Sequence, residues 1–97
     1  MVKVVNIRHS SCDIKVDRSS PLGNPFYMHT EALRDSVCDK YELWLDEALK
    51  SNQQVRDEMN RIHKLAKHKD ITIGCWCHPK RCHGDYIAKL INKKIVY

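Results

Sequence analysis

The sequence predicts a small single-domain α/β fold, a parallel or mixed sheet flanked by three helices in a Rossmann-like arrangement. Three observations carry that prediction. Two short apolar runs rich in β-branched residues, near the N-terminus and at 71–76, have the composition of buried strands. Three other stretches place apolar residues at helical spacing. Long connections rather than hairpin turns separate the strands, as parallel pairing requires. Its 97 residues make one domain, 1–97, that buries about 60–65% of its unfolded surface around one core.

"KVVNIRH" (3–9) opens the chain as a strand. "SSCDIKVDRSSPLGNPF" (10–26) holds two of the three prolines and one of the three glycines and reads as a long structured loop, with a short strand at "DIKV". Loops of this length in small domains are functional or disordered, and Ile14, Val16, Leu22 and Phe26 give this one apolar anchors. Thr30 is placed to cap a helix in which Leu33, Val37, Tyr41, Trp44 and Ala48 form an apolar stripe. Its opposite face carries Glu31, Asp35, Asp39, Glu42 and Asp46, a solvated face or a docking face for a basic partner.

Ser51 with Gln54 has the pattern of a capping box, and Val55, Met59, Ile62 and Ala66 turn inward from a second helix. A strand at Ile71–Trp76 follows. The last helix starts near Gly84–Asp85 and buries Tyr86, Ile87, Leu90 and Ile91, and "KIVY" is read as a final edge strand.

Composition narrows the functional classes. A hydrophobic content of 42% with 30% charge fits a globular chain rather than a disordered one. The absence of an apolar run of membrane length, and of a signal-like start, leads us to expect a cytoplasmic protein. Five cysteines in a reducing compartment argue against structural disulfides. Residues 1–60 carry 8 lysines and arginines against 10 carboxylates, and residues 61–97 carry 9 against 2. Such a basic C-terminal third can attract phosphate-bearing partners, nucleic acid included.

Chemistry concentrates in "GCWCHPKRCHGD" (74–85). This segment runs from the end of a strand to the start of a helix, where α/β folds bind ligands and helix N–H groups favour anions. Cys77, Cys82 and His83 are the candidate catalytic groups, since a helix start and nearby cations activate thiols. Zinc is the alternative. Strand alternation would put Cys75 and Cys77 on one face, with Cys82 or His83 completing a metal-binding set. The spacing is not that of a standard zinc finger or ribbon, and no second CxxC pair is present.

At these residues a family resemblance emerges. "VVNIR", "DRSSPLGNPF", "KYELWL" and "GCWCHPKRCHGD" together resemble a bacterial and phage family known as domain of unknown function 4326. Asp17 stands where that pattern has glycine, and Arg81 where an uncharged residue is common. The resemblance points to Asn6 and Arg8, the loop residues Arg18, Ser20, Gly23, Asn24 and Pro25, and the segment's Cys75, Cys77, Cys82, His83 and Asp85; with the two strands as neighbours, these three groups are expected to converge on one crevice. A phage-encoded member would work in its host's cytoplasm.

The expected function is therefore binding, with or without processing, of a nucleotide-like or otherwise phosphorylated small molecule at the C-terminal ends of the strands. Asn6, Arg8, Arg18, Ser20, Gly23, Asn24 and Asp85 are the expected ligand contacts. A zinc-stabilised interaction module built on Cys75, Cys77, Cys82 and His83 is the second reading. Nucleic-acid binding through the basic third is the third. No membrane partner is expected.

Overall fold

A computed structural model of the chain describes residues 1–93; the "KIVY" strand expected at 94–97 lies outside them. The sheet has three parallel strands, β1 (Val2–Asn6), β2 (Ile14–Lys15) and β3 (Ile71–Cys75), in the order β1-β3-β2. Val2 pairs with Ile71 and Asn6 with Cys75, so the strands of "KVVNI" and "ITIGC" end level. The first strand stops at Asn6 rather than His9, because the Asn6 carbonyl and side chain accept from the amides of His9, Ser10 and Arg8 and turn the chain. The third stops at Cys75 rather than Trp76.

After β2 the chain runs through a loop to a short 3-10 turn (Glu31–Leu33) and α1 (Arg34–Ser51). Thr30 precedes that turn but makes no side-chain cap, and α1 begins three residues later than the threonine suggests. α2 (Gln53–His68) follows almost at once. Its cap is Asn52, not Ser51: the Asn52 Oδ1 accepts from the amides of Gln54 and Val55 at 3.0 and 3.3 Å, while Ser51 closes α1. α3 (His83–Asn92) completes the fold, with Cys82 as its N-cap residue and the Asp85 carboxylate accepting from the Cys82 N–H at 3.1 Å.

The expected stripes form the core. Val37, Tyr41, Leu45 and Ala48 from α1, Val55, Met59 and Ile62 from α2, and Ile87, Leu90 and Ile91 from α3 are buried with Ile71 and Ile73 of the central strand. Leu33 falls outside the stripe and is 40% exposed, because it belongs to the 3-10 turn and not to α1.

The long loop is anchored at Val16 and Leu22, both fully buried. The Tyr41 hydroxyl donates to the Leu22 carbonyl at 2.6 Å inside that core. Two tight turns fold the loop on itself, the Ser20 amide donating to the Asp17 carbonyl at 3.0 Å and the Gly23 amide to the Ser20 carbonyl at 2.9 Å. A Cβ at Gly23 would stand 2.5 Å from the Asp17 oxygen and 2.7 Å from the Arg18 Cα, so only glycine allows this crossing. Among the described residues no helix is long and apolar enough to cross a membrane.

Candidate functional site

The carboxyl ends of β2 and β3 open into a cleft of about 320 Å³. Arg18, Asn24 and Phe26 of the loop form one wall, and Arg34, Val37 and Cys38 of α1 form the other. Trp76 and Cys77, just past β3, and Cys82 and His83, at the start of α3, complete it. The spatial expectation that Arg18 and His83 share one hollow therefore holds. It follows from topology: β2 and β3 are parallel neighbours, so the residues that leave them emerge side by side.

The arginines differ sharply. Arg34 sets its Nε and a terminal nitrogen against the two Glu31 oxygens at 2.8 and 2.6 Å, and gives its other terminal nitrogen to the Arg81 carbonyl at 2.8 Å. It lines the cleft together with the Cys77 thiol. Arg81 reaches Asp35, Asp39 and Glu42 at 3.0, 2.9 and 2.8 Å. The acidic face of α1 is solvent-exposed, as expected, and its carboxylates are paired within the chain: Glu31 also holds Lys80, and Asp46 accepts from the Tyr86 hydroxyl. Arg34 and Lys80 together hold the Glu31 carboxyl down at about 2. Part of the basic third is consumed inside the chain.

Arg18 is the exception. Its guanidinium lies 4.0 Å from the centre of the Tyr27 ring, and among the described residues no carboxylate comes within ion-pair distance of it. Neighbouring Asp17 also lines the cleft. Its carboxylate accepts from the Ser19 hydroxyl and amide, contacts that lower its pKa.

His83 presses its Nε2 against the Val16 carbonyl and its ring edge-on to Tyr41, centroids 5.1 Å apart. A carbonyl only accepts, so Nε2 carries the proton and Nδ1 the lone pair. Burial pushes the imidazole below its usual value of 6.5, which keeps the ring neutral.

The cysteines separate into two kinds. Cys77 sits partly exposed in the cleft beside Arg34. Cys75 is buried at the end of β3, with its Sγ 2.8 Å from that of Cys82. The Cys82 thiol and the amides of Cys77 and His78 hold the Cys75 thiol down at about 6 against the effect of burial, while bonding to Cys75 and burial push Cys82 up. Cys75 is the anionic member and Cys82 the donor. Alternation does not carry Cys77 onto the face of Cys75, since the strand ends between them. Among the described residues no group of three or more His, Cys, Asp or Glu side chains is placed to hold a metal ion.

Of the expected ligand contacts, Arg18 and Asn24 line the cleft with Cys77, Cys82 and His83. The others lie around it and shape it. Asn6 donates to the His78 and Trp76 carbonyls at 2.8 and 3.3 Å, fixing the cysteine-rich turn to β1. Arg8 stands 5.8 Å from the Trp76 ring centre. Ser20 accepts from the Leu22 amide at 3.1 Å, Gly23 forms the crossing, and Asp85 caps α3. Sequence reasoning missed Arg34, Trp76 and Cys38 as cleft residues. Arg34 alone left a signal, a cation at the start of an otherwise acidic helix face.

A family model described as "Domain of unknown function (DUF4326)" matches residues 3–93. The protein described as "Uncharacterized 12.4 kDa protein in nrdA-td intergenic region" of Enterobacteria phage T4 is similar to this chain, 30% identical over 94 residues that cover 96% of this chain and 80% of the phage protein. No solved structure matches.

Proposed function

The chain belongs to the DUF4326 family, and we propose from the chemistry of its cleft that it binds a nucleotide-like small molecule carrying a single phosphate. The observation that carries this reading is Arg18, the one cleft arginine without a carboxylate partner among the described residues. A guanidinium held on an aromatic ring keeps its in-plane N–H groups for an anion, and phosphate suits their fork geometry. Arg34 and Arg81 already serve carboxylates, so a triphosphate would lack counter-charge here. Phe26, Met28, Val37 and Trp76 make the remainder apolar and aromatic, as a base requires and a bare inorganic anion does not. The volume lies at the small end of the roughly 300–1,000 Å³ usual for ligand pockets.

The groups within the cleft able to act on such a ligand are the Cys77 thiol and the Nδ1 lone pair of His83. Arg34 lines the same cleft as Cys77. Isothermal titration of the full chain against nucleoside monophosphates, triphosphates, free nucleosides and sugar phosphates tests the reading. A monophosphate is expected to bind, and Arg18→Ala to weaken it at least tenfold. Silence across the panel would remove the proposal.

A further inference from the structure

Cys75 and Cys82 contribute neither the cation nor the apolar walls of the cleft, yet they are the closest pair of nucleophilic atoms in the site. Their Sγ atoms lie 2.8 Å apart. A disulfide needs about 2.05 Å, so a bond requires an approach of under about 1 Å. Cys75 is fully enclosed, with the Cys82 sulfur as its close neighbour. Cys82 lines the cleft floor. The backbone on either side is tethered, by Asn6 to the Trp76 and His78 carbonyls and by Arg81 to α1.

We propose that Cys75 and Cys82 form a reversible dithiol–disulfide couple, oxidised by a hydroperoxide that enters through the cleft. The Cys82 sulfur, which faces the cleft, attacks as its proton passes to the Cys75 thiolate 2.8 Å away. A Cys82 S–O bond forms and the O–O bond breaks. The departing oxygen leaves as an alcohol, or as water from hydrogen peroxide, after taking a proton from solvent. The Cys75 sulfur then attacks the Cys82 sulfenic acid. The S–S bond forms, and the displaced hydroxide takes the Cys75 proton and leaves as water. The thiol–thiolate pair loses two electrons and one proton, and the peroxide takes those two electrons, that proton and one more from solvent.

The test uses the folded full-length chain, treated with hydrogen peroxide, alkylated and digested with trypsin. Cleavage after Lys80 and Arg81 separates the Cys75 and Cys77 peptide from the Cys82 peptide. The expected product is those two peptides joined, two hydrogens lighter, with Cys77 alkylated. It should exceed any other cysteine pairing at least tenfold, disappear on treatment with dithiothreitol, and persist in Cys77→Ser. The wild-type peptide map decides even if Cys75→Ser or Cys82→Ser fails to fold. A crosslink through Cys77, no crosslink in the native chain, or one zinc per chain released by peroxide would each overturn the inference.

Discussion

On the α1 side of the cleft, two arginines are enclosed by four carboxylates; on the loop side, one arginine rests on a tyrosine ring with none. The α1 wall uses charge to hold secondary structure together. Arg81 pins the turn after β3 to a helix face whose acids, at i,i+4 spacing, would otherwise repel. The loop wall instead fixes its cation by burying apolar neighbours, Val16 and Leu22, on either side of it. The same residue type is structural on one wall and available on the other. Counting arginines therefore overstates what a cleft can offer an anion, and only the partner list separates the two roles.

That contrast can be broken at its foundations. Leu22→Ala removes the anchor of the loop wall from a fully buried position and should cost about 2–5 kcal/mol in urea-induced unfolding. A smaller and more selective outcome separates the walls. Arg81→Ala should lower stability by about 0.5–1 kcal/mol, as partly exposed pairs do, while shifting monophosphate affinity less than threefold. Arg18→Ala should do the reverse, leaving unfolding unchanged and abolishing most binding. Equal effects of both variants on binding would erase the distinction.

The smallest effect is on pH dependence. Burial keeps the folded His83 imidazole below 6.5, so the unfolded chain takes up that proton more readily. The contribution is complete above about pH 6.5 and falls as the pH drops from there toward the folded value. His83→Gln, whose amide can still donate to the Val16 carbonyl, should flatten that part of a melting-temperature profile.

The division between what was legible in the sequence and what was not follows the same line. Period and composition exposed the strands, the inward stripes of α1, α2 and α3, and the end of the sheet where the cleft opens. These are properties of neighbours along one element. The pairing of Arg81 with Asp35, Asp39 and Glu42, and of Asn6 with His78, joins residues some 40–70 positions apart. No periodicity records such distances. Cys75 and Cys77 looked equivalent because alternation was extended past a strand that stops at Cys75.

Gly23 carries a last implication. With backbone atoms 2.5 and 2.7 Å from where a methyl would sit, the crossing beside Arg18 tolerates no graded loosening. A single added carbon there would displace the guanidinium as a unit, without touching ligand, thiol or imidazole. Mutational scans for recognition residues should accordingly find an intolerant position that makes no contact with whatever the protein recognises.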